Sequence, residues 1–202
     1  MIDDFAKKYL HNDLREIRKV MLWKLDGLGE YNIRRPLTST GTNLLGLVKH
    51  LSMVESRCFG EVFDRPFAVP LPRWNDAEKH GADMWATEHG TGAEVVGRYR
   101  RAWEHSDATI TALDSPGHVP WWPRRDVKLF NVLAHALTET SRHAGHADIM
   151  REQLDKSTGT TAQHAASHHD GDFWEARCAK IERAARAAVT EPDHAGAHIT
   201  FT

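Results

Sequence analysis

The stretch Glu139-Thr-Ser-Arg-His143-Ala-Gly-His146-Ala-Asp-Ile-Met150 places one carboxylate and two imidazoles inside a run of helical periodicity. Leu129, Val132, Leu133 and Ala136 precede it, and Ile149 and Met150 close it. Those spacings predict one long helix from about Asp126 to Leu154. At about 100° per residue, His143 lies about 40° to one side of Glu139 and His146 about 20° to the other, with His135 about 40° back. One narrow stripe therefore carries His135, Glu139, His143 and His146. An i, i+4 pair such as Glu139 and His143 clamps a metal at two points, but zinc takes four positions and a catalytic zinc keeps one open.

A third ligand has to come from another helix. In GLVKHLSMVE, His50 interrupts an apolar face, with Leu47 one turn before it and Val54 one turn after. A histidine on such a face needs a partner. The candidate site is thus His50 with Glu139 and His143, built across the interior. Two neutral imidazoles and one carboxylate leave a divalent ion with residual positive charge, which lowers the pKa of bound water or of an incoming thiol. The same residues also admit a plainer reading, in which the histidines are satisfied core residues and Glu139–His143 is a helix-surface pair.

Outward from this stripe the chain reads as helices. Leu14, Ile17, Met21, Leu22, Leu25 and Leu28 mark one face of a first helix over 8–28, ended by Gly27 and Gly29. Thr42 is the nearest N-cap to a second helix, whose inward face is Leu44, Val48, Leu51, Val54 and Cys58. Val95, Tyr99, Ala102, Trp103, Ile110 and Leu113 predict a third over 91–114, and Asp172 to Val189 reads as a shorter fifth. Prolines exclude a helix in SPGHVPWWPRR, and no strand run is apparent. The fold expected is all-α: a four-helix bundle plus a short C-terminal helix, in one domain over 1–190 with a loose tail over 191–202. The connection over 64–86 is long enough to cross the bundle, which predicts parallel second and third helices and an up-down-down-up order.

Composition excludes several functions. The net charge of -2, from 26 Lys+Arg against 28 Asp+Glu, gives no basic surface for nucleic acid. Two cysteines cannot build a disulfide framework, the N-terminus is too charged for a signal peptide, and no apolar run approaches a membrane span. A soluble cytoplasmic protein is expected. His164, His168 and His169 lie among Ser, Thr, Gly and Asp and read as a solvated loop rather than a second metal site. Glu55 points away from His50 and awaits a cation. Cys58 reads as a small buried residue rather than a nucleophile. Trp121 and Trp122 read as a cover over the bundle end. Arg57, Arg142 and Arg151 are candidate cations near the site, although exposure is the default for each.

TSTGTNLLGLVKHLSMVESRCFG, followed by LTETSRHAGHADIMREQLD and DFWEARCAKIERAA, resembles the DinB-like superfamily. The likeness is to the branch related to mycothiol-dependent maleylpyruvate isomerase and mycothiol S-transferases, over about residues 10 to 189. It implies an up-down-down-up bundle with a divalent metal held by His50, Glu139 and His143. Zinc is foremost, with nickel, iron(II) or manganese as alternatives. It further implies a metal-dependent S-transferase: a low-molecular-weight thiol, mycothiol-like, is activated at the metal for attack on an electrophilic small molecule. His146 would move protons or orient the thiol. Related bundles are commonly homodimers, so a homodimer is expected. A non-catalytic metal- and ligand-binding stress-response bundle and a metal-dependent hydrolase are the other functions such a site would serve.

Overall fold

The computed structural model describes residues 3–69, 81–113, 116–161 and 171–190. In chain order these form α1 (Asp4–Trp23), α2 (Glu30–Arg34), α3 (Leu44–Phe59), a 3-10 turn (Glu61–Phe63), α4 (Gly92–Ala112), β1 (Pro116–His118), β2 (Asp126–Lys128), α5 (Leu129–Asp155) and α6 (Gly171–Thr190). The chain divides into two compact units, Met1–Ala165 and Ala166–Thr202. The first is the four-helix bundle of α1, α3, α4 and α5. The second contains α6, which begins and ends within one residue of the expected bounds. Among the described residues, no helix is long and apolar enough to cross a membrane. His164, His168, His169, residues 70–80 of the long connection and the tail over 191–202 lie outside the described residues.

The helix ends follow from local chemistry. Asp3 caps α1 by accepting from the Phe5 amide at 3.3 Å, so the helix starts four residues before the expected residue 8, and it ends at Trp23, short of Gly27 and Gly29. Asn43, not Thr42, caps α3, its Oδ1 accepting from the Gly46 amide at 2.8 Å. Thr91 and Glu94 form a reciprocal capping box on α4. The short α2 and the β1–β2 hairpin were not apparent in the sequence. Each strand has only three residues, too few for a two-residue alternation to register. Gly117 in β1 is required by packing: a Cβ there would come within 2.8 Å of Phe63 and Val62 side-chain carbons.

The direction of each helix follows from the two apolar clusters. One contains Met21 and Leu25 of the α1 end, Leu44 to Leu51 of the α3 start, Val95 and Tyr99 of the α4 start, and Ala144 to Met150 of the α5 end. The other contains Leu14, Cys58, Phe59, Ile110 and Leu129 to Ala136. Consequently α1 and α5 run one way and α3 and α4 the other, the up-down-down-up order expected of a long α3–α4 connection.

Between the two clusters lies a polar belt. Arg18 sits between Leu14 and Met21, Glu55 between Leu51 and Cys58, Ser106 between Tyr99 and Ile110, and Thr140 between Ala136 and Ala144. Arg18 and Glu55 are 1% and 0% exposed. The guanidinium donates Nε to Oε1 at 2.8 Å and Nη2 to Oε2 at 2.6 Å, while Nη1 reaches Asp107 Oδ1 at 2.7 Å. Burial works against the charge on Arg18, but the Glu55 and Asp107 carboxylates outweigh it and hold the group protonated. Glu55 thus finds its cation. Asp107 also accepts from Arg15 and pairs with His11.

Removing Arg18 strands Glu55 as an uncompensated buried charge, whereas removing Glu55 leaves Arg18 its Asp107 partner. Arg18→Met is expected to cost about 3–5 kcal/mol by urea denaturation, whereas replacing both Arg18 and Glu55 with apolar residues of similar volume costs far less.

Asp107 provides a pH dependence. Burial raises its pKa, but the hydrogen bonds from His11, Arg18 and Arg15 outweigh burial and hold it below the usual carboxylate range. In the unfolded chain it takes up a proton near the ordinary value of about 3.9. Below that pH the unfolded state binds more protons, so acid favours unfolding. Urea midpoints are expected to fall as pH drops through about 4, with a shallower fall in Asp107→Asn.

Candidate metal centre

His50 lies midway along α3, and Glu139 and His143 lie one turn apart midway along α5. The antiparallel packing of these helices brings the three together: one ligand atom from each lies within 4.8 Å of the others. All three are partly buried. The His50 and His143 rings meet edge to face at 4.9 Å, and His143 Nε2 lies 3.4 Å from Glu139 Oε2.

The donor set fits a divalent cation. His143 Nδ1 is buried and has no hydrogen-bond partner among the described residues, an unsatisfied state that ordinarily costs about 1–3 kcal/mol. Burial, and then the neighbouring His50, push the His143 pKa down to about 4. The ring is therefore neutral near pH 7, the form that ligates a metal. His50 has its Nδ1 taken by Asp83 Oδ2 at 2.6 Å, which leaves Nε2 as its available nitrogen. Two imidazoles and one carboxylate match the donors of zinc and of neighbouring divalent metals.

Asp83 was not found in the sequence. It sits in the charged part of the α3–α4 connection with no periodic context, and only the folded chain brings it to His50. It is 3% exposed. His146 is exposed and packs edge-on against His143 at 5.5 Å between ring centroids. His135, from the same stripe, turns instead to an adjoining cavity.

That cavity, of about 250 Å³, is lined by His50, Met53, Val54, Arg57, Cys58, Trp121, His135 and Glu139. Two expectations change here. Trp121 is a wall of the cavity rather than a cover, with the Arg57 guanidinium 4.0 Å from its ring centroid. Trp122 meets His135 edge to face at 4.8 Å. The hairpin turn folds both indoles back over α3 and α5, a placement that the proline-rich sequence does not disclose. Arg57 is 7% exposed and lies 3.6 Å from Glu61. Arg151 is equally buried but structural, donating to the Lys24 and Asp26 carbonyls. Arg142 is exposed. Burial lowers the His135 pKa against the pull of Glu139, so this imidazole too is neutral near pH 7.

These features define a helical-bundle protein with a His–Glu–His group across two helices, beside a cavity walled by an indole and an arginine. The chain belongs to the mycothiol S-transferase family, which matches residues 9–156, from α1 to just beyond the end of α5. No curated protein sequence matches the chain.

Cys58 is the cavity's own thiol. Burial, with Glu55 adding to it, pushes its pKa up to about 12. A protonated thiol is a poor nucleophile. In a Cys178→Ser variant, Cys58 is expected to resist alkylation in the folded protein at neutral pH and to react fully once denatured. Rapid labelling of the folded variant would contradict this account of the cavity.

Proposed function

We propose that the protein is a metal-dependent thiol S-transferase that joins a low-molecular-weight, mycothiol-like thiol to an electrophilic small molecule. The observation that carries this reading is the convergence of His50, Glu139 and His143 at the edge of a cavity, in a chain of the mycothiol S-transferase family. His50, Glu139 and His143 would hold a divalent metal, zinc foremost. A cation in that position supplies the charge that keeps a coordinated thiol deprotonated near neutral pH.

The chain's own groups divide the remaining work. Trp121 and Val54 give the cavity apolar walls that exclude water from the reacting sulfur. Arg57 places a fixed positive charge at the indole, suited to an anionic or carbonyl group on the electrophile. In the reaction a sulfur–carbon bond forms, the thiol loses its proton, and the electrophilic carbon gives up a bond to a leaving group or a π bond, whose electron pair takes up a proton. His146 is the exposed imidazole beside the three ligands and is assigned to pass the thiol's proton to solvent. His135, neutral within the cavity, is placed to relay the proton taken up on the electrophile's side. A homodimer and a cytoplasmic location complete the proposal.

Elemental analysis of purified protein is expected to find about one divalent metal per chain, lost in both His50→Ala and His143→Ala. The wild type should then conjugate a low-molecular-weight thiol to an electrophile, and both variants should fall to the uncatalysed rate. Metal retained in both variants would exclude this site. A metal-loaded protein that binds thiol without turnover would leave a binding module in place of an enzyme.

A further inference from the structure

The segment that carries Asp83 is fastened to α3 at several points next to His50. Lys49 Nζ donates to the carbonyls of Ala82 and Trp85, the latter at 2.8 Å. Asn43 Nδ2 reaches the Met84 carbonyl at 3.4 Å. Gly46 is the seat for this approach: a Cβ there would lie 1.8 Å from the Met84 carbonyl oxygen and 2.6 Å from its carbon. Three consecutive turns of contact, at Asn43, Gly46 and Lys49–His50, thus press the backbone of 82–85 onto one helix face. The side chain delivered by that contact is a carboxylate, 3% exposed, 2.6 Å from His50 Nδ1.

We infer that Asp83 is the positioning residue of the metal centre, holding His50 in the tautomer protonated at Nδ1 and presenting Nε2 as the ligand atom. The inference rests on the metal-site reading above. The physical reason is the two-sided nature of imidazole. A neutral ring has one donor and one acceptor nitrogen, and whichever nitrogen donates to a fixed carboxylate leaves the other as a lone-pair donor. A carboxylate behind a ligating histidine also fixes the ring's rotation and makes the ligand more basic. Glu139 and His143 share one helix and are placed by its geometry. His50 comes from a different helix, so its ring orientation needs a support of its own. Gly46, Lys49 and Asn43 make that support rigid.

The test has an arm that needs no metal. In protein carrying isotope-labelled histidine and freed of metal, long-range proton–nitrogen spectra report which ring nitrogen of His50 is protonated, with His50→Ala assigning the signal. At about pH 9, above the ordinary imidazole range, the wild type is expected to show Nδ1–H. Asp83→Ala is expected to shift the proton toward Nε2. Chelator competition is expected to show metal affinity weakened about ten- to a hundred-fold in Asp83→Ala. Lys49→Met, which removes two anchors but keeps the carboxylate, should give a smaller loss in the same direction. Asp83→Asn, with the same shape and no charge, replaces Asp83→Ala should the latter not fold, and should also lose affinity.

An unchanged tautomer in Asp83→Ala together with wild-type affinity overturns the inference, as does wild-type affinity in a folded Asp83→Asn. Wild-type protein that binds no metal overturns the proposed function instead, and the tautomer spectra then decide the positioning role alone. A merely structural role for Asp83 would move the melting temperature and leave the His50 tautomer as it was.

Discussion

The bidentate contact between Arg18 and Glu55 is the constraint on which the rest of the bundle depends. It buries a positive and a negative charge in the middle of the bundle, and the carboxylate of Glu55 is not tolerable there without Arg18. Arg18 extends the requirement to Asp107 on α4, so one guanidinium ties three helices at fixed spacing. The register of α3 against α1 and α4 is thereby set near Glu55. About 140° around the same helix, five residues earlier, His50 faces α5. The charged belt and the candidate metal centre are thus two sides of α3, and the first locks the helix that must present the second.

The belt also explains why the apolar core is divided. Hydrophobic burial alone would favour continuous apolar stripes along each helix, and polar groups in the middle cost stability unless paired. Here the interruptions coincide on all four helices. Ser52, Ser56 and Thr140 return their hydroxyls to the carbonyl one turn before, which satisfies them without a partner helix. His50, Glu139 and His143 differ, because their polar atoms converge on one another and one nitrogen of His143 stays unpaired. Ser52, Ser56 and Thr140 are satisfied within their own helices, whereas the side chains of this trio converge on one point and keep capacity for a ligand.

Legibility in the sequence tracked the range of the interaction. Helices with a clean apolar period were found to within a few residues, α1 lying at Asp4–Trp23 against the expected 8–28, and the parallel pairing of α3 and α4 followed from the length of their connection. The candidate ligands were legible because each breaks a periodic pattern: His50 on an apolar face, Glu139 and His143 one turn apart. Arg18 breaks the α1 pattern in the same way, lying four residues after Leu14 and three before Met21, so that signal was present and unused. Asp83 and Trp121 had no such signal. Both come from irregular segments whose conformation is set by contacts distant in sequence, the Gly46 seat for one and the hairpin turn for the other. Periodicity carries information about elements and little about what loops deliver to them.

The two sulfur chemistries available at the cavity separate cleanly. Cys58 lines it, but desolvation strongly disfavours its thiolate and Glu55 adds to that effect, so near neutral pH it is an apolar wall. A sulfur nucleophile at this place therefore has to arrive from outside and find its stabilising charge there. Neutral imidazoles supply none by themselves, and Arg57 already has Glu61 beside it. The ligand trio is the feature able to concentrate positive charge at the cavity edge, by holding a cation. Burial that silences the protein's own thiol also strengthens the field on an incoming one, since both effects arise from the same low dielectric. The cavity that makes Cys58 inert is for that reason suited to a thiol brought in as substrate.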